Sequence, residues 1–521
     1  MKQTEHGGRA LAEAVKKAYA NGLDDYHMPA LVSRSHRRIQ DGDSVVFCCR
    51  RGEREIELTE MFTDAAFSVV PRKYLHDLDF VLLTQYHEKF RYLPIAFTPN
   101  KVNLPLAQVL SKAGKTQFHC AESEKFPHVT YFFNGGNNDP FAGETDRCIP
   151  SPKGVSFDTV PHLSLPEVAK TVEEALGGYD FIVVNFANGD VIGHTSSTEA
   201  KLEACKAVSR NLENVVTKAL KHDYVVIVTA DHGNIEKLYT KNGTPDVAHT
   251  TSLVPFIILD PNNPGETIPL RDGSLYDVAP TILDIMGIER PAQMTGNTLT
   301  GDRDWGINRK VLLVILDGWG LGSGDDNDAI FLASTPYWDS LVSRCSWCRL
   351  NASGTYVGLA SGKAGNSEAG HLNLGAGRCV IQDDIRIDKA IEDGSFEENP
   401  VLLRSIRKAR EKDKALHLIT YLTYKSSHGS MDYAVAVAKM AKANDVRNVC
   451  LHIIFDGRST EPGSAPQLLM DLENKLENIG TGYIVDGIGR GFALDRDRNY
   501  ELVKQAYDMM VEGKGRAYER P

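Results

Sequence analysis

Four segments of this chain are apolar at nearly every position and then stop abruptly at an acid, a histidine or a glycine. They are VLLVILDGWG (311–320), FIVVNFANGD (181–190), YVVIVTADHGN (224–234) and VPFIILD (254–260). A strand with one solvated face alternates apolar and polar residues; a run without alternation is buried on both faces, as in parallel sheets. Helix-like stretches such as 196–222 and 276–287 lie between the runs. This strand–helix alternation predicts a doubly wound α/β fold. Ligands of such folds bind beyond the carboxyl ends of the strands, where these acids and histidines fall.

A second set of runs ends differently. SVVFCCRRGE (44–53), ALHLITYLTYKSSHG (415–429), VCLHIIFDGRS (449–459) and GYIVDGIGRG (482–491) finish mainly in arginines and one histidine. One set therefore supplies metal-type ligands and the other anion-binding groups, which predicts two α/β domains. A length of 521 residues suits two domains. GDRDWGINRK (301–310) and YLPIAFTPNKVNLP (92–105) are the clearest linker candidates.

Composition narrows the function classes. A net charge of -11 disfavours nonspecific nucleic-acid binding but leaves room for an anionic substrate held by local arginines. No run of about 18 uncharged apolar residues is present, and no signal core opens the chain, so neither a membrane partner nor export is expected. Nine cysteines in a chain this long do not read as a disulfide framework, and the CSWC pair, Cys345 and Cys348, has no second pair to complete a zinc site. The expectation is a cytoplasmic monomer. Gly358 to Ala364 resembles a phosphate-binding loop but is one residue short and lacks Ser or Thr after Lys363.

Asp190 and His194 stand at i and i+4, one above the other if the segment is helical. Asp231 and His232 follow a strand directly, and His249 precedes another. Each alone reads more readily as a capping acid or a satisfied histidine than as a ligand; together they read as a carboxylate–imidazole set suited to Mn²⁺ or Zn²⁺ more than Mg²⁺. Asp317 ends the run VLLVILD. Ser367 lies in GNSEAGH, where Gly365 permits a tight turn and a helix can begin. A phosphorylated serine there would be stabilised by backbone N–H groups and the helix dipole.

The segments ILDGWG, GNSEAGHLNLGAGR, DGR, GRGFALDRD, AESEKFPHVTYFFNGG, NFANGDVIGHT, TADHGN, AHTT and PTILDIMG resemble cofactor-independent phosphoglycerate mutase, of the alkaline phosphatase superfamily. The resemblance covers most of the chain, in a different order. The family opens with the DGWG strand and the serine motif, then inserts its transferase domain, then closes with the aspartate and histidine ligands. Here DGWG appears only at 317, and GKGRAYERP looks like the middle of the transferase domain. The resemblance thus implies a circularly permuted arrangement, with the family's ends joined through about 301–310. It implies a continuous alkaline-phosphatase-like domain at 105–380 and a transferase domain split between 1–100 and 385–521.

Carried over residue by residue, the resemblance implies two divalent ions, Mn²⁺ by preference, with Co²⁺, Mg²⁺ or Zn²⁺ as alternatives, and no need for 2,3-bisphosphoglycerate. One ion would be held by Asp190, His194 and His249, the other by Asp317, Ser367, Asp231 and His232. Ser367 would be the nucleophile, Lys125 would contact the transferring phosphate, and Asp456 would act as general base. His428, Asp456, Arg458, Arg490 and Arg496, with Arg50 and Arg54, would hold the glycerate. The implied activity is interconversion of 3-phosphoglycerate and 2-phosphoglycerate through a phosphoserine.

The departures from the family concentrate in the transferase half. Its DGGVHS segment is Tyr424-Lys425-Ser426-Ser427-His428-Gly429 here, without the acid or either glycine before the histidine. Ser459 replaces the acid of DGRD. Arg50 aligns with the first arginine of the family's FNFR segment; the second falls at Glu53, and Arg54 matches only with a loop one residue shorter. These changes motivate an alternative, a metal-dependent phosphatase or a mutase of another small phosphorylated substrate.

Overall fold

A computed structural model of the chain describes residues 6–34, 37–50, 54–99, 101–426 and 428–518, with Asp384 described in its backbone alone. Arg51, Gly52, Glu53 and Ser427 of the loops just discussed lie outside the described residues. The chain divides into two compact units, Met1–Pro99 with Arg386–Pro521, and Asn100–Ile385.

The Asn100–Ile385 unit is built on an eight-stranded sheet. From edge to edge its strands are Gly273–Ser274, Ser346–Asn351, Val254–Leu259, Tyr224–Thr229, Lys310–Leu316, Phe181–Phe186, Gln117–Glu122 and Glu144–Ile149. The three central strands are the uninterrupted apolar runs 181–186, 224–229 and 310–316, and they pair in parallel. Val311 to Leu316 are buried throughout, because helices cover both faces. One such helix, Thr198–Lys221, starts at Ser197, whose hydroxyl accepts from the Ala200 N–H at 3.2 Å. Its buried residues, among them Ala204, Val208, Leu212, Val215 and Ala219, recur at three- and four-residue spacing.

The run 254–260 differs from the parallel arrangement that its pattern predicts. Val254–Leu259 is antiparallel to both neighbours. Burial on two faces produces the same pattern in either direction, so the sequence pattern does not encode orientation. The direction matters for the site. His249 precedes its strand, and a residue before a strand reaches the carboxyl edge of the sheet only when that strand runs backwards.

The segment 301–310 sits inside this unit and is anchored rather than loose. Trp305 is buried, Arg303 meets Glu266 at 2.7 Å, and Arg309 pairs with the buried Asp260.

The other unit has its own eight-stranded sheet, in the order Arg516–Tyr518, Leu31–Ser33, Tyr483–Gly489, Val449–Phe455, Leu416–Leu422, Ser44–Phe47, Asp79–Thr84 and Ile95–Phe97. All its pairings are parallel except that between Leu31–Ser33 and Tyr483–Gly489. Strands from the two chain segments interleave: Ser44–Phe47 lies against Leu416–Leu422, and Leu31–Ser33 between Tyr483–Gly489 and Arg516–Tyr518. Among the described residues no helix is long and apolar enough to cross a membrane.

Candidate metal centre and anion-binding group

In the Asn100–Ile385 unit, the carboxyl ends of three adjacent parallel strands carry Asp190, Asp231 and Asp317. Two glycines let the strand-end turns meet. Gly318 has φ +72°, and a Cβ there would stand 2.6 Å from the Asp190 amide nitrogen. Gly370, on the helix Ser367–Ala376, would place one 2.6 Å from the Asp231 carbonyl oxygen. Side chains at either position would push the carboxylates apart.

Asp190 is on the short helix Asn188–Gly193, and His194 caps it, so the i and i+4 pair does stack, with His194 Nε2 3.2 Å from Asp190 Oδ1. His249 Nε2 approaches the same oxygen at 2.9 Å and His232 Nε2 at 3.8 Å. His232 Nε2 is also 3.4 Å from Asp317 Oδ1 and 3.6 Å from Asp231 Oδ2. Two donor groups result, Asp190 with His232 and His249, and Asp231 with His232 and Asp317. His232 belongs to both, and His194 joins the first through Asp190.

Ser367 is the first residue of its helix, and the cap is Asn366, whose side chain accepts from the Ala369 N–H. The serine is therefore free of capping duty. Its Oγ lies 2.7 Å from Lys125 Nζ, 3.0 Å from Asp317 Oδ1 and 3.0 Å from His232 Nε2. Lys125 Nζ also meets Asp190 Oδ2 at 2.5 Å and Asp317 Oδ1 at 2.9 Å. All eight predicted residues on this side thus converge.

These donors fit divalent cations. His194 Nδ1 is 2.7 Å from the Val247 carbonyl oxygen and His249 Nδ1 2.8 Å from that of Gly365. A carbonyl only accepts, so Nδ1 carries the proton in each ring and Nε2 of the neutral ring presents a lone pair. The two Nε2 atoms are 3.0 Å apart, and both are aimed at a carboxylate oxygen. Lone pairs facing one another and an anion repel unless a cation or protons sit among them. Asp231 Oδ2 is enclosed without a hydrogen-bond partner among the described residues.

The ionisation of the group shows the same demand. Burial opposes charge on His232, but Asp231, Asp317 and Asp190 raise it to about 10. The Asp190 contact raises His194. Burial would lift Asp190 and Asp317, yet Lys125 and the histidines hold both below the usual carboxylate range. Burial would likewise neutralise Lys125, and Asp317, Asp190 and Asp231 keep it charged.

Residues behind this group escaped the sequence reading. Asn185 donates to Asp317 Oδ2 at 2.6 Å and to His371 Nε2 at 3.0 Å; His371 Nδ1 meets the Ser367 carbonyl at 2.9 Å. Both lie within quoted motifs, but amides and single histidines give no signal of their own. A third set, His119 with Glu144 and Asp146, sits in mid-strand at the sheet's edge, where His119 Nδ1 bonds the Val129 carbonyl.

In the other unit, Asp456 and Arg490 directly follow two adjacent parallel strands and form a buried ion pair. Arg490 Nη2 donates to His428 Nε2 at 3.1 Å. Arg50 is hydrogen-bonded to the Ser426 carbonyl, and its own N–H donates to the His428 carbonyl at 2.9 Å. These four residues are brought together. Arg54 instead turns to the Leu494 carbonyl at 3.1 Å, while Arg458 and Arg496 are exposed. Glu55, which no motif flagged, accepts hydrogen bonds from His428 Nδ1 at 2.7 Å and from the Tyr421 hydroxyl.

Comparison with known proteins places these features in a family. Residues 5–290 match the metalloenzyme superfamily, and residues 387–521 match the N-terminal region of BPG-independent PGAM. A 2,3-bisphosphoglycerate-independent phosphoglycerate mutase of Chloroflexus aggregans is 42% identical, over 55% of this chain and 58% of that protein. One from Moorella thermoacetica is 41% identical, over 56% and 58%. The structure of Leishmania mexicana phosphoglycerate mutase at low cobalt concentration aligns at 30% identity with a TM-score of 0.41, covering 50% of this chain and 51% of that one. The chain spans 58% of the length of these two curated relatives. With a match over more than half its length, to a family whose defining chemistry the donor groups of Asp190, Asp231 and Asp317 suit, the chain belongs to the metalloenzyme superfamily.

Proposed function

We propose that the chain is a phosphoglycerate mutase that interconverts 3-phosphoglycerate and 2-phosphoglycerate without 2,3-bisphosphoglycerate. The observation that carries this reading is Ser367 Oγ, placed at a helix start within 3.0 Å of Lys125, Asp317 and His232. The names of the curated relatives support it.

Asp190, His194 and His249 would hold one divalent ion, and Asp317, Ser367, Asp231 and His232 the other, with Mn²⁺ preferred. Bound there, the ions supply Lewis-acid polarisation of the phosphoryl group and a lower pKa for the serine hydroxyl. Ser367 attacks the phosphoryl group in line, the bond from phosphorus to the glycerate oxygen breaks, and that oxygen takes up the proton the serine gives up. Lys125, kept charged by its three aspartates, neutralises charge on the transferring oxygens. The N-terminal N–H groups of the Ser367–Ala376 helix stabilise the phosphoserine. Arg490 and Arg50, with Arg54, Arg458 and Arg496, offer planar forks to the carboxylate of the glycerate, and His428 orients it. Asp456 takes the proton of the second hydroxyl as that oxygen recovers the phosphoryl group from Ser367. The enzyme is proposed to work as a monomer in the cytoplasm.

The chain is also proposed to be a circular permutant of this family. Support comes from order: the region matching the family's N-terminal part lies at 387–521, after the 5–290 match. A rearranged chain beginning at 310, with the present ends joined, should keep the activity; a folded but inactive product would refute the permutation.

The deciding assay measures 2-phosphoglycerate and free phosphate separately, without added 2,3-bisphosphoglycerate, with and without Mn²⁺, on wild type and Ser367→Ala. Isomer formation that needs both Mn²⁺ and the serine is expected. Phosphate release with no isomer would favour the phosphatase alternative, and isomerisation by the serine variant would overturn the phosphoserine.

A further inference from the structure

Glu55 is a fully buried acid in a place where the ordinary explanation fails. It precedes the helix Ile56–Thr63, where an acid normally caps, but its side chain makes no capping hydrogen bond. Oε1 instead receives His428 Nδ1 at 2.7 Å and the Tyr421 hydroxyl, while Oε2 is enclosed without a hydrogen-bond partner among the described residues.

The partners of His428 settle its proton. A guanidinium has only donors, so the Arg490 Nη2 contact at 3.1 Å makes His428 Nε2 an acceptor. The neutral ring then carries its proton on Nδ1 and donates it to Glu55. A continuous chain follows, from Tyr421 and Glu55 through His428 and Arg490 to Asp456. The segment before His428 supplies no acid, its described residues being Tyr424, Lys425 and Ser426.

We infer that Glu55 is a positioning residue that fixes the Nδ1–H form of His428 and, through it, the direction in which Arg490 presents its fork to an anionic substrate. The opposite tautomer would put an N–H on Nε2, against the donor of Arg490, and turn the guanidinium away. The catalytic arm of the test rests on the mutase reading; the tautomer arm does not.

The test uses the full chain labelled with ¹⁵N-histidine, the His428 signal being assigned by its loss in His428→Asn. Wild type is expected to show the Nδ1–H form. In Glu55→Gln the amide can donate to Nδ1, so the signal should shift toward Nε2–H, and kcat/KM for phosphoglycerate should fall at least ~10-fold, as wrong-tautomer variants of other acid–histidine pairs do. Tyr421→Phe removes the other partner of Oε1 and should leave both the tautomer and kcat/KM within about twofold. An unchanged His428 signal in folded Glu55→Gln, or equal losses in both variants, would overturn the inference. Glu55→Asp, which draws the acid back from Nδ1, replaces Glu55→Gln if that variant does not fold. A wild type without mutase activity would refute the functional reading alone, since the tautomer shift is read without turnover.

Discussion

The two units both present charged side chains beyond the carboxyl ends of parallel strands, yet they balance that charge in opposite ways. Around Asp190 and Asp317, carboxylates and imidazole lone pairs face one another with Lys125 as the fixed cation among them. Around Arg490, the groups already satisfy one another: Asp456 is the counterion of the guanidinium, and Glu55 accepts from the neutral imidazole that the guanidinium contacts. The first group is complete only with positive charge from outside. The second is self-consistent and can be prepared for an anion before one arrives. Metal dependence and substrate specificity are therefore expected to respond to different residues.

The largest test of that contrast is Ser367→Ala, which should lower isomerisation by ~1,000-fold or more while leaving stability near wild type, because the hydroxyl is removed and the cap Asn366 stays. A kinetic comparison beside a urea melt checks it; a loss below tenfold would detach the serine from the chemistry.

The next effect lies in the core of the arginine-bearing unit. Burial holds His417 at about 4, with Asp43 pulling the other way and His452 adding to the depression. Its ordinary value is about 6.5. Between those two values the unfolded chain binds more protons than the folded one, so stability falls as pH falls. The loss begins near pH 6.5 and is complete below about 4, amounting to about 3 kcal/mol. Urea melts at pH 7.5 and 4.5 should differ more for wild type than for His417→Asn; identical differences would break the assignment.

Removing divalent metal should destabilise the Asn100–Ile385 unit and spare the other. At a hundredfold excess over its dissociation constant, an ion contributes about 2.7 kcal/mol. Hydrogen exchange with and without a chelator would locate the effect, and equal loss of protection in both units would erase the contrast. The smallest change expected is in Arg490→Lys. It keeps the charge but loses the planar fork, and KM for phosphoglycerate should rise about tenfold with metal affinity unchanged.

Legibility in the sequence follows the same division. Asp190, His194, Asp231, His232 and Asp317 could be read because each is tied to an adjacent apolar run, and strand ends are where such residues gather. The orientation of Val254–Leu259 could not, since burial leaves the same pattern in either direction. Glu55 was invisible for another reason: its partner is 373 residues away in the chain, and its own neighbourhood reads as an ordinary helix start. Asn185 and His371 act by holding other side chains, a role that residue type does not announce. The partner of Arg54 was not legible either, because an arginine near a motif has many acceptors within reach, and here one of its N–H groups takes the Leu494 carbonyl.

The interleaved strands of the split unit bear on how the chain is made. Ser44–Phe47 pairs with Leu416–Leu422, and Leu31–Ser33 with Tyr483–Gly489. A ribosome releases the first partners hundreds of residues before the second exist. The contiguous unit can assemble as it emerges, while the early strands wait with unpaired edges until residues 416–489 have followed. During that interval those edges are unpaired, and the sheet is completed only when the late strands enter between the early ones.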